Sequence, residues 1–238
     1  MIATFQTWKV LPHGKLTEID ENILTVVGEI PMPIGGLQRR MTVVRLTDGR
    51  LVIFSAISLD DDEMRALEDY GTPAFLIVPN SHHRLDAKTW KDRYPDIQVI
   101  TPKGARPKVE DAVPVDATSA DFGDDSVLLI DVSGTRSLES ALLVTRTDGT
   151  TLVLNHVVAN IRDEKGFGGW LLRMMDFASD EPQVPIPIKA AIVSDKAALS
   201  EQLLRWADIP SLKRILVSHG SAIETDPSGA LRQLAASL

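Results

Sequence analysis

The sequence passes twice through the same order of signals, and that repetition restricts the fold more than any other feature. Arg45-Leu46-Thr47-Asp48-Gly49-Arg50-Leu51-Val52-Ile53 is echoed by Thr145-Arg146-Thr147-Asp148-Gly149-Thr150-Thr151-Leu152-Val153-Leu154. Each passage sets Asp-Gly between runs rich in branched apolar residues, which is the short-range signature of a tight hairpin. Helical material follows each hairpin. A short apolar strand then ends at a histidine, in Phe75 to His82 and again in Ile215 to His219. Few identities are shared between the passages; the order is what repeats. Two β-rich halves of this kind, about 1–121 and 122–238, can bury their apolar faces by packing sheet on sheet with helices outside.

The remaining signals fill in the halves. Thr4 to Leu11, Leu16 to Asp20 and Ile23 to Ile30 read as strands, and Pro31 to Gly36 as a loop. Met41 to Leu46 and Leu51 to Phe54 are the arms of the first hairpin. Asp60-Asp61-Asp62-Glu63 opens a helix to Tyr70, because acidic groups complement the dipole there. Ala74 to Val78 is too short and too punctuated for a helix, so it reads as a buried strand. Ala87 to Tyr94 reads as a helix and Ile97 to Ile100 as a strand, and proline-rich Thr101 to Asp121 connects the halves. The second half continues with strands Ser126 to Asp131, Leu142 to Thr145 and Thr151 to Leu154. A helix is expected over Trp170 to Phe177, an extended segment over Ile188 to Ser194, and a helix over Asp195 to Asp208. Lys213 to Val217 is a strand, and Pro227 to Leu238 closes as an amphipathic helix.

Several function classes drop out on composition. The chain has no cysteine, which removes disulfides, thiolate metal sites and a cysteine nucleophile. A net charge of -8 argues against a nucleic-acid partner, which calls for a basic face. No apolar run approaches the ~20 residues of a membrane span. Met1 to Trp8 lacks the apolar centre of a signal peptide. The expectation is a soluble, cytoplasmic chain that meets neither membrane nor nucleic acid.

Chemistry concentrates just past the Ala74 to Val78 strand, where Asn80, His82, His83 and Asp86 follow Pro79. Ligands in α/β sheets bind beyond the carboxyl ends of strands, so this loop is the first candidate for a site. His156 and His219 also follow apolar strands directly. Three neutral imidazoles can hold one zinc ion and leave a position for water. Asp86 stands where it can cap the Ala87 to Tyr94 helix. A serine hydrolase is disfavoured, because no Gly-x-Ser-x-Gly elbow occurs.

From about Met41 to Gly220 this order of hairpin, helix, strand and histidine loop, ending in Ser218-His219-Gly220, resembles the metallo-β-lactamase fold. The resemblance implies an α+β, four-layer αββα sandwich of two similar halves. The family's His-x-His-x-Asp-His loop is eroded here. Asn80 stands at its first histidine, His82 at its second, Arg84 at its aspartate and Leu85 at its last histidine. Thr135 replaces the histidine of a Gly-His turn, His156 stands for the bridging aspartate, and His219 matches the final histidine. A one-residue shift brings in His83 or Asp86 instead.

The resemblance thus implies a reduced, mononuclear site in which His82, His156 and His219 hold one zinc, iron or manganese ion. Asn80, Arg84 and Thr135 would meet a small-molecule substrate. The Arg84 charge opposes a second cation by simple repulsion. The implied activity is metal-dependent hydrolysis of an ester, amide or lactone. The alternative is a catalytically silent, metal-free member that keeps the fold for binding or assembly.

Overall fold

The computed structural model describes residues 4–31, 36–161 and 182–238. Among the described residues, ten strands form two sheets. The first holds β1 (Thr17–Asp20), β2 (Ile23–Pro31), β3 (Gly36–Arg45), β4 (Arg50–Phe54), β5 (Thr72–Ile77) and β6 (Gln98–Ile100), side by side in that order. The second holds β7 (Val127–Asp131), β8 (Ser140–Arg146), β9 (Gly149–Leu154) and β10 (Leu212–Val217), in the order β10-β9-β8-β7. Both Asp-Gly passages are hairpin turns, between β3 and β4 and between β8 and β9. Gly49 sits at φ 85°, a region where a Cβ is strained.

Strand alternation explains the layering. Val52 and Phe54 of β4 point between the sheets and meet Val127, Leu142, Val144, Val153 and Leu216. Leu51 and Ile53 point the other way. There they pack on Met64 and Leu67 of α1 (Asp61–Tyr70), Trp90 of α2 (Ala87–Arg93) and Val109 of α3 (Arg106–Glu110). The second sheet does the same with Leu152, Leu154, Ile215 and Val217. Its helices are α4 (Ile186–Ala191), α5 (Lys196–Ala207) and α6 (Pro227–Ala236). The result is helix, sheet, sheet, helix. Truncating a fully buried residue such as Ile53 to Ala costs ~2–5 kcal/mol.

The two sheets share a local plan. In each, the second hairpin strand pairs in parallel with the next strand, Phe54 opposite Ile77 and Leu154 opposite Val217. The chain therefore leaves β5 and β10 at the same end of the sandwich, each time into a histidine loop.

Three expectations need correction. Thr4 to Leu11 is not a strand; it runs over the helical layer, where the Trp8 ring lies tilted 5.7 Å from that of Trp90 and its indole donates to the Leu59 carbonyl. The Thr101 to Asp121 connector contains α3, and the extended segment expected over Ile188 to Ser194 overlaps helix α4. Both helices carry a proline in their first turn, where the missing N–H costs nothing, so proline marked a helix start and not a break. The helix expected over Trp170 to Phe177 lies outside the described residues.

Candidate metal centre

The loop after β5 is shaped by one side chain. Asn80 is buried, and its Oδ1 accepts the backbone N–H of His82 (2.8 Å) and of His83 (3.1 Å). This Asx-type turn ends the strand's two-residue alternation. His83 is thereby directed under the loop, and its Nδ1 lies 2.6 Å from the Ser55 hydroxyl. Ser55 immediately follows β4 and takes a left-handed conformation, φ 60°. Such a backbone is uncommon for a residue with a Cβ, and here it aims the hydroxyl at the imidazole.

The other two histidines come from the second sheet. His156 lies two residues beyond β9. Its predecessor Asn155 is fully buried and accepts a hydrogen bond from the Ser218 hydroxyl, which joins the ends of β9 and β10. His219 follows β10, and its Nδ1 donates to the Gln38 carbonyl of β3 at 2.6 Å. A carbonyl only accepts, so the proton sits on Nδ1 and the Nε2 lone pair is left available. Arg40, next along β3, donates to the carbonyls of Val217 and Gly220, both at 3.0 Å.

The histidines that converge are His83, His156 and His219. One ligand nitrogen from each lies within 4.8 Å of the others. Nε2 of His83 and Nε2 of His156 are 3.2 Å apart. Two ligands of a tetrahedral zinc, each about 2.0–2.1 Å from the ion, stand about 3.3 Å apart, so this spacing fits the ion. The rings of His156 and His219 lie nearly parallel, at 7° and 5.5 Å. Burial, followed by the neighbouring His156, pushes the His219 pKa down to about 4, against the opposing effect of the Gln38 carbonyl. Burial, followed by the other histidines and Arg39, holds His83 well below the usual histidine range. Both are therefore neutral at pH 7, as ligands must be.

The other sequence candidates are placed differently. His82 is exposed; its ring lies 5.2 Å from that of His156 but outside the convergent set. Asn80 spends its side chain on the loop and on Glu139, to which Nδ2 donates at 3.1 Å, so it is not turned to a substrate. Thr135 is fully buried and donates to the Val132 carbonyl, a turn bond that removes it from any substrate surface. Arg84 is drawn to Asp111 (3.7 Å) and the Lys108 carbonyl at the end of α3. Asp86 occupies the N-cap position of α2 but makes no capping bond. Its carboxylate pairs with buried Arg39 and accepts the Ser58 N–H at 3.0 Å, so it is turned from the histidines.

Sequence reasoning missed Glu139, which precedes β8. It is fully buried; Oε1 lies 3.3 Å from His156 Nδ1, off the line of a hydrogen bond, and Oε2 has no partner among the described residues. A buried carboxylate with an unpartnered oxygen beside the histidine cluster suits a nearby cation. The donor set is nitrogen only, which favours zinc over the oxygen-seeking ions.

No protein-family model and no curated protein matches the chain. Solved structures do. The mono-zinc form of the metallo-β-lactamase FIM-1 from Pseudomonas aeruginosa is similar with a TM-score of 0.65 and 11% identity, over 96% of this chain and 97% of that one. A metallo-β-lactamase from Erythrobacter litoralis, with β-mercaptoethanol in its active site, gives 0.64 at 10% identity, over 94% and 96%. One from Hirschia baltica gives 0.61 at 7%, over 94% and 98%. Likeness at such identity shows the fold alone.

Proposed function

The chain has the metallo-β-lactamase fold, and on it we propose a mononuclear, metal-dependent hydrolase of a small molecule, with His83, His156 and His219 as the ligands. One observation carries this reading: nitrogens from three loops meet at the strand ends, two of them 3.2 Å apart. His83 thus takes the part that the sequence pattern suggested for His82. A divalent metal, zinc above iron or manganese, supplies a Lewis acid that polarises a carbonyl and activates water. The chain's own residues set up that chemistry. Ser55 and the Gln38 carbonyl hold the Nδ1 atoms of His83 and His219, so each ring is turned with Nε2 inward. Burial keeps those two rings neutral. No carboxylate joins the histidine set among the described residues, which supports one ion and not two.

Suitable substrates are carboxylic esters, lactones and thioesters. Untagged protein loaded with zinc is expected to hydrolyse at least one member of such a panel, to lose that activity to a chelator, and to regain it with zinc. His156→Ala should abolish it. Absence of turnover across the panel by fully loaded protein would contradict the reading.

A second reading has an observation of its own. The same 3.2 Å separation serves as a hydrogen bond between the two imidazoles, so their Nε2 atoms are paired without a metal. This favours a metal-free member used in binding or assembly, and failure to take up zinc would select it.

A further inference from the structure

We propose that Glu139 is a positioning residue of the histidine centre, acting on two loops through one carboxylate oxygen. The inference rests on the metal-centre reading above and adds a residue that the fold's hallmark motif does not contain.

Oε1 of Glu139 lies 3.1 Å from Asn80 Nδ2 and 3.3 Å from His156 Nδ1. Asn80 is the side chain that winds the loop bearing His83, because its Oδ1 holds the N–H groups of His82 and His83. His156 stands on the loop after β9. A single oxygen therefore touches one convergent histidine directly and the loop of another through Asn80. The neighbouring backbone strengthens the link: the Ser140 N–H donates to the Pro79 carbonyl at 3.0 Å. The Glu139-Ser140 segment is thus docked on Pro79-Asn80 twice.

A merely structural role does not call for a carboxylate here. Asn80 Nδ2 needs one neutral acceptor, which a glutamine carbonyl would provide. Among the described residues, Glu139 instead leaves Oε2 buried without a partner, and its one ion-pair partner is His156. Burying such an oxygen is unfavourable. The arrangement makes sense if the carboxylate works on the imidazole. From 3.3 Å, though off the line of a hydrogen bond, its charge favours the tautomer with the proton on Nδ1 and leaves Nε2 as a lone pair toward His83 and His219. A carboxylate behind a ligating histidine orients the ring and raises its basicity.

The test is Glu139→Gln, which keeps the shape and one acceptor but removes the charge, read two ways. Long-range proton–nitrogen correlation spectra of the histidine rings in metal-free protein report the His156 tautomer. The native protein should show the Nδ1–H form, and the variant should lose that preference. Zinc affinity by competition with a chelating dye should fall about 10–100-fold in the variant, with no fall in melting temperature. An Nε2–H tautomer in the native protein, or unchanged tautomer and affinity in the variant, would overturn the proposal. If the native protein binds no zinc at all, the metal-centre reading fails, and the tautomer spectra alone decide the role of Glu139. Should Glu139→Gln fail to fold, Asn80→Ser, which cuts only the loop side of the link, should leave the His156 tautomer intact; loss of the tautomer there would also count against it.

Discussion

The two histidine loops stand on matching strand pairs but are held in place differently. The loop after β5 is fastened within its own part of the chain: Asn80 winds it, Asp86 binds Arg39 and the Ser58 N–H, and Thr101 donates to the Val78 carbonyl at 2.7 Å. The loop after β10 is fastened by the opposite sheet. Arg40 of β3 holds the Val217 and Gly220 carbonyls, and the Gln38 carbonyl receives the proton of His219. The first loop is wound locally and meets the second half at Pro79-Asn80, through Glu139 and the Ser140 N–H. The second is tied to its own half as well, where the Asn160 N–H donates to the His219 carbonyl at 3.2 Å, and the docked sheet adds the Arg40 and Gln38 contacts. The centre is therefore assembled across the sheet interface, and its geometry reports on that interface.

Changes aimed at either loop break this contrast in graded ways. Asp86→Ala strikes the local loop and leaves Arg39 buried without its counter-charge. A loss of ~3–5 kcal/mol is expected in urea unfolding. Zinc stoichiometry of the folded fraction should stay the same, because Asp86 faces away from the histidines.

Acid strikes the other loop. The His219 pKa is about 4 in the folded protein against about 6.5 unfolded, so the unfolded chain binds the extra proton first. Its stabilising contribution is complete above about pH 6.5 and is lost as pH falls toward about 4, ~3 kcal/mol at most. Melting temperatures of chelator-treated protein should drop across that window, and His219→Gln should flatten the drop.

Arg40→Met removes the clamp and leaves two carbonyls short of a donor. About 2 kcal/mol is expected from denaturation midpoints. Unlike Asp86→Ala, it should also weaken zinc binding, because it frees the segment on either side of His219. Ser55→Ala has the smallest expected effect: about tenfold in zinc affinity, measured by dye competition, with little change in stability.

The sequence made the scaffold legible through local chemistry. Asp-Gly turns, the acidic start of α1 and the apolar runs of β5, β9 and β10 each depend on a few adjacent residues. Asp60 indeed caps α1 by accepting from the N–H groups of Asp62 and Glu63. The segments misread were those where proline has two meanings: Pro107 and Pro187 open helices α3 and α4 instead of interrupting structure.

The centre was legible only in part. That histidines would gather at the strand ends followed from the repeat. Which of His82 and His83 turns inward did not, because alternation stops at Pro79 and the direction is set by the Asn80 turn. Glu139 belongs to no motif. It lies 59 residues from Asn80, and the docking of the two sheets brings those two together; the antiparallel β8–β9 register, carried one step past Ser140, sets it opposite His156.

Elemental analysis of untagged protein alongside its His82→Ala and His83→Ala variants, after incubation with zinc and desalting, tests the convergent triad most directly. About one equivalent of zinc in the native protein and in His82→Ala, with none in His83→Ala, is the predicted result. Native protein free of zinc, or His83→Ala that retains a full equivalent, would contradict it.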